Sequence, residues 1–211
     1  MLKRLARCFA DEIRGVAHIE FALTLPLICT IAYGVIQWAS MAYVQNQVQS
    51  LASIMADNAA RMRQGDGLGA VKVRESDILE IINAANLQSS SIGASNRRRF
   101  VISSLEQNAN GGQWIHWQRC YGNALYSSSF LEGVNESGTA YPGAEINGVT
   151  IAAPPGSAVM LTEVVIDYMP PISIPILGID ARRFTSIAAS PIRGSRNLSD
   201  VIRDRRPALC S

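Results

Sequence analysis

The sequence predicts an α+β protein: a long N-terminal transmembrane and stalk helix, a second short helix, and a small antiparallel sheet of about four strands. Three observations carry this. Between Val16 and Tyr43 the only strongly polar side chains are His18, Glu20 and Gln37, over a stretch longer than the ~20 residues a helix needs to cross a ~30 Å hydrocarbon core. Apolar side chains then recur with helical spacing at Val44, Val48, Leu51, Met55, Ala59 and Met62. Later come runs of β-branched and aromatic residues bounded by turn signals, which read as strands.

Composition agrees. Charged residues make up 17% of the chain and hydrophobic ones 48%, a charge fraction below the roughly 25% of an average soluble domain. Residues 1–15 hold four bases and two acids, and the rest of the chain balances its charges. The net charge of +2 therefore belongs to the N-terminal tip, which argues against a nucleic-acid partner.

The first element is a basic leader, residues 1–15, with Lys3, Arg4, Arg7 and Arg14. The span follows at residues 16–43. It is too long for the roughly 7–15-residue core of a secretory signal, and no small-residue cleavage site follows it. No Lys or Arg occurs from Phe21 to Ala60. The positive-inside rule then puts the N-terminus in the cytoplasm and the chain after Tyr43 on the far side. Tyr33, Trp38 and Tyr43 suit the outer half, where aromatic rings favour the interface. Pro26 removes one hydrogen bond and kinks the helix, which a membrane helix tolerates. Glu20 has two readings: its carboxylate snorkels to the cytoplasmic headgroups, or it has a function that outweighs an insertion cost of about 2.5–3.5 kcal/mol, less near a helix end.

The amphipathic stalk, residues 44–64, places its apolar stripe on one face for docking onto the protein's own sheet. The run QGDGLG, residues 64–69, stops it. The remainder, 65–211, forms the α+β domain. Glu75–Leu87 reads as the second helix, with Asp77 and Glu80 as its capping box and Ile78, Ile81, Ile82 and Ala85 on one face. Phe100–Leu105 and Gln113–Cys120 flank the loop ENANGG and form a hairpin. The segment 122–156, rich in Gly, Ser, Asn and Pro, reads as an irregular insertion. Ala158–Tyr168 is a long β-branched strand stopped by Pro170-Pro171, and Arg183–Ala189 is the fourth strand.

The residues assemble no catalytic constellation. The histidines are His18 in the span and His116 in a strand, and no HExxH, nucleophile elbow or phosphate loop occurs. Glu163 and Asp167 share a strand face, but roughly 13 Å separates them, too far for a glycosidase pair. The chain is read as a non-enzyme with no metal and no cofactor. Four cysteines lack metal or redox spacing. Beyond the span, Cys120 and Cys210 fall in an oxidising compartment. A bridge there would close a loop worth roughly 4–5 kcal/mol in the chain-entropy model. Two free thiols, or pairing to another subunit, are the alternatives.

One motif speaks to function. Gly15 precedes the apolar helix, Glu20 is the fifth residue after it, and Phe21 is next, which resembles the processing site of type IV prepilins. The longer run GVAHIEFALTLPL, with Tyr33-Gly34 further on, resembles the TadE-like pseudopilins of Tad/Flp pilus systems over about residues 14–56. Arg14, Gly15, Glu20, Phe21, Ala22, Leu23, Pro26 and Gly34 all match that pattern, and His18 departs from it. The resemblance implies a minor pseudopilin, a structural or assembly component of a Tad/Flp pilus or related secretion filament. It implies cleavage between Gly15 and Val16 by a prepilin peptidase, and partners among other pseudopilins or pilins and the Tad inner-membrane platform. The carboxylate of Glu20 would pair with the freed amine of a neighbouring subunit, with Phe21 beside it. The implied location is the bacterial inner membrane, single-pass, with the C-terminal domain periplasmic. The alternative is an uncleaved, membrane-anchored periplasmic binding module whose insertion 122–156 recognises a ligand or partner.

Overall fold

A computed structural model describes residues 13–62, 70–90, 92 and 97–210. The basic leader through residue 12, including Cys8, and the stop signal QGDGLG lie outside the described residues. The first helix, α1, runs unbroken over Ile13–Arg61, with Pro26 inside it. The second, α2, is Glu75–Ser89. Among the described residues six strands follow: β1 Arg98–Gln107, β2 Gln113–Gly122, β3 Ala144–Ile146, β4 Val149–Ile151, β5 Ala158–Tyr168 and β6 Arg182–Pro191. A four-stranded antiparallel sheet in the order β2-β1-β5-β6 forms the body, and β3-β4 is a separate hairpin. The α+β architecture expected from the sequence is the one observed.

The periodicity of α1 explains where it packs. Val44, Val48, Leu51, Met55 and Ala59 are buried, with Phe100, Ile102, Met160, Val164 and Ile166 of the sheet and Ile78 and Ile82 of α2 in one core. Each fully buried Val, Leu, Ile, Phe or Met among them contributes roughly 1.5–3 kcal/mol. Thr162 on β5 donates to the Ala52 carbonyl across this interface, 2.8 Å. At the C-terminal end of α1 the closing device is a side chain from far along the chain. Arg196 Nη2 donates to the carbonyls of Ala59, Ala60 and Met62 at 3.1, 3.3 and 2.9 Å, which satisfies orphan acceptors and complements the helix dipole.

The other face of the sheet is covered by the insertion. Leu105, Ile115, Val159 and Leu161 form a second core with Phe130, Ala144 and Ala153. The expectation that residues 122–156 are irregular therefore needs correcting. They contain the β3-β4 hairpin, whose turn places Asn147 and Gly148 at φ 51° and 79°, the positive-φ pair that a two-residue hairpin turn needs. Burial on both faces accounts for β5, which lacks a polar side: ten of its eleven residues are buried.

One local expectation also changes, and the hairpin carries a bulge. The cap of α2 uses Asp77 at N3, accepting from the Arg74 backbone N–H at 3.1 Å, and Glu80 is exposed outside it. The β1-β2 ladder skips a residue, pairing Ser104 with Trp117 and Leu105 with Ile115. His116 is the bulged residue, so Ile115 enters the insertion-side core and Trp117 the helix-side core, although strict alternation would put them on one face.

Candidate functional site

The motif residues sit on a part of α1 that the rest of the chain leaves uncovered. From Gly15 through Ala32 every residue is exposed, while Gln37, Met41 and Val44 are buried against the domain. Val16, Ile19, Phe21, Leu23, Leu27, Ile28 and Ile31 stand between 55% and 73% exposed. Mean hydropathy over the best 18-residue window is 1.9, and among the described residues this is the one helix long and apolar enough to cross a membrane. Such a surface requires an apolar environment or a partner helix.

Gly15 and Val16 lie in the first turns of α1. A β-carbon on Gly15 would meet nothing within 4 Å, so the chain itself does not demand glycine there. Glu20 is exposed, one helical turn beyond Val16, and none of the ion pairs among the described residues involves it. Thr24 Oγ1 donates back to the Glu20 and Phe21 carbonyls at 2.9 and 3.3 Å, and Thr30 Oγ1 to the Pro26 carbonyl at 2.8 Å. These local bonds satisfy hydroxyls inside an apolar segment. Cys29 is an exposed thiol on the same stretch.

The domain's polar groups are organised differently: they tie segments together. Arg119 on β2 grips Glu75 at the start of α2, Nε to both carboxylate oxygens at 2.9 and 3.0 Å and Nη2 to Oε1 at 2.5 Å. Glu163 on β5 is buried and accepts from Tyr126 and Ser128 hydroxyls and the Ser129 N–H. Burial first, and then the bond to Glu163, push the Tyr126 hydroxyl up to about 12, so it remains a donor. Asp167, on the same strand face, pairs instead with exposed Arg183 at 2.7 Å. His116 Nδ1 lies 2.9 Å from Glu106 and Nε2 lies 3.6 Å from Asp200. Its pKa is raised, chiefly by the bond to Glu106, with burial opposing. The C-terminal segment is bound through Ile202 to Val73, Asp204 to Ser76, and Ala208 to Cys120. Cys120 and Cys210 are disulfide-bonded, with α-carbons 4.8 Å apart. Among the described residues no group of three or more His, Cys, Asp or Glu is arranged to hold a metal ion.

The structure thus gathers Gly15, Val16, Glu20, Phe21 and Pro26 on one uncovered stretch of α1 and joins Cys120 to Cys210. What the sequence did not reveal is how low the domain reaches. Tyr33 Oη donates to the Ile172 carbonyl at 2.7 Å and accepts from its N–H at 3.0 Å. Trp38 Nε1 donates to the Leu177 carbonyl at 3.0 Å, and Tyr168 Oη donates to Gln37 at 3.0 Å. Docking starts at Tyr33, ten residues before the expected boundary at Tyr43. The aromatic positions signalled an interface but not that its partner would be the chain's own 168–179 segment.

These features define a class: an α+β domain carried on a single helix with the length and apolarity of a membrane anchor. One family model matches, and it covers the helix. Residues 15–62 match the TadE family, described as TadE-like protein, the family that the leader and helix motif resembles. That match points to a membrane component associated with Tad pili. No curated protein matches the chain, and no solved structure matches its fold.

Proposed function

We propose that this protein is a minor pseudopilin, anchored in the bacterial inner membrane with its domain in the periplasm and matured by prepilin peptidase between Gly15 and Val16. The observation that carries the proposal is the coincidence of the TadE-like match with the uncovered stretch of α1. The domain leaves bare the part of the helix that holds Gly15, Glu20 and Phe21. Cleavage creates an α-amino group on Val16, cationic near neutral pH given an ordinary pKa near 8. The exposed Glu20 carboxylate is its counter-ion on a neighbouring subunit, where a low dielectric makes an unpaired charge cost several kcal/mol. That pairing sets the register between this protein and other pseudopilins, pilins or the Tad platform. The Cys120–Cys210 bridge supports a periplasmic domain, since disulfides persist in that compartment. The role is structural, and the polar clusters of the domain support it by serving as ties between segments.

The test is the N-terminus of the protein purified from membranes that contain prepilin peptidase, read by sequencing and intact mass. It should begin at Val16, and Gly15→Leu should retain the leader. A chain still carrying its leader beside an active peptidase would instead favour an uncleaved anchored binding module.

A further inference from the structure

The segment from Met169 to Ile179, MPPISIPILGI, contains no charged residue, yet it lies largely at the surface. Met169, Ile172 and Ile176 are 56%, 59% and 92% exposed, a contiguous apolar tip of the kind that marks a contact surface. Its height on the anchor helix is fixed by the bonds from Tyr33 to Ile172 and from Trp38 to Leu177. Tyr33 lies about 25 Å and Trp38 about 33 Å beyond Val16 along the helix axis, at 1.5 Å per residue. With Val16 at the inner edge of a ~30 Å hydrocarbon core, the loop straddles the outer edge, and helix tilt only moves it deeper.

We propose that the loop Met169–Leu177 inserts into the outer leaflet of the bilayer as a second membrane contact, fixing the domain's orientation on its anchor. This rests on reading α1 as the membrane span. Three further features fit a lipid occupant. Much of the backbone, though not the N–H of Met169, Ser173 or Ile176, is already paired, which suits a medium without water, where unsatisfied polar groups cost several kcal/mol each. Pro170, Pro171 and Pro175 have no N–H, and the N–H groups of Ile172, Ile174, Leu177, Gly178 and Ile179 all have acceptors. The Ser173 hydroxyl donates to Ile179 and Asp180. Above the tip the surface turns basic. Arg182 and Arg97 line the depression beside Met169 and Tyr168, and Arg182 also borders Trp38, a level suited to phosphate headgroups. The acids there are already engaged, Asp167 by Arg183 and Asp180 by Ser173 and the Ala181 N–H.

The experiment places an environment-sensitive fluorophore at single cysteines of the full chain in lipid nanodiscs, with the Cys120–Cys210 bridge kept. Ile176→Cys, in a chain also carrying Cys8→Ser and Cys29→Ser, reports the tip; Ile176 is so exposed that the change removes little packing. Native Cys29, with Cys8→Ser, reports the helix. Val149→Cys in the same double-serine chain, on the β3-β4 hairpin at an exposed position, reports the aqueous side. Quenching by nitroxide-labelled acyl chains and by aqueous iodide is compared. The expected result is lipid quenching at both Cys29 and Ile176→Cys, with iodide quenching at Ile176→Cys several-fold weaker than at Val149→Cys. Lipid quenching at Cys29 alone, with Ile176→Cys as open to iodide as Val149→Cys, overturns the inserted loop and leaves the anchor standing. Protection of Ile176→Cys from both quenchers overturns it in favour of a protein contact. Absence of lipid quenching at Cys29 removes the anchor and the inserted loop together.

Discussion

Removing either member of the Arg119–Glu75 pair should destabilise the domain by about 3–5 kcal/mol, the usual consequence of leaving one buried charge without its partner. Both side chains are only 6% and 4% exposed, and the guanidinium makes three contacts to the carboxylate and one to the Gln118 carbonyl. The two substitutions differ. After Glu75→Ala, Arg119 still has Gln118 and, at 3.9 Å, half-exposed Glu132. After Arg119→Met, the buried carboxylate has no cation left in contact among the described residues, so this variant belongs at the upper end. Against a typical total of 5–15 kcal/mol, and at about 2–4 °C per kcal/mol for a chain of this size, the midpoint should fall by about 6–20 °C. The double variant Glu75→Leu, Arg119→Met should recover much of the loss, because buried ion pairs replaced by apolar groups are often neutral. Thermal unfolding of the full chain in detergent, followed by tryptophan fluorescence, reads this directly. Trp117 lies 5.9 Å from the guanidinium carbon, measured to the ring centre. Single variants that each lose less than about 1 kcal/mol, the level of an exposed pair, would refute the reasoning. So would a double variant as unstable as the two losses added.

Reducing the Cys120–Cys210 bridge, which spans a sequence separation of 90, should cost about 2–5 kcal/mol, read as the shift in urea midpoint with and without reductant; an unmoved midpoint would contradict it. Glu20→Val should leave membrane insertion intact or improved while lowering pilus output and crosslinking to partner subunits, and undiminished assembly would make Glu20 a snorkelling side chain. His116 has a raised folded pKa, so protonation stabilises the native state. That contribution is fully present below the unfolded value of about 6.5 and is lost as pH rises through the higher folded value. The melting midpoint should therefore decline slightly across that window, and His116→Gln should flatten the decline.

Much of this protein is written locally. A helix that must cross lipid needs a long apolar run, and a stalk that packs on a sheet needs a stripe with a helical period. Both are properties of consecutive residues, so α1 and its buried face from Val44 to Met62 were legible. The β-branched run Ala158–Tyr168 marked a strand for the same reason, and the motif from Gly15 to Pro26 announced the family later matched over residues 15–62. The Asn147-Gly148 turn was also present in the sequence, although the glycine- and serine-rich surroundings hid it. Other features depend on residues that only folding brings together. Arg196 closes a helix that ended well over a hundred residues earlier, and Glu75 meets Arg119 across a gap of 44. The bulge at His116 sends Ile115 and Trp117 to opposite cores. The segment 168–179 descends to Tyr33 because β5 runs antiparallel to the anchor helix from Ala52 to Gln37. Local periodicity determines which face of an element is apolar. Which distant surface covers that face, and at what height on the anchor, is decided by the register of strands and the reach of side chains in three dimensions.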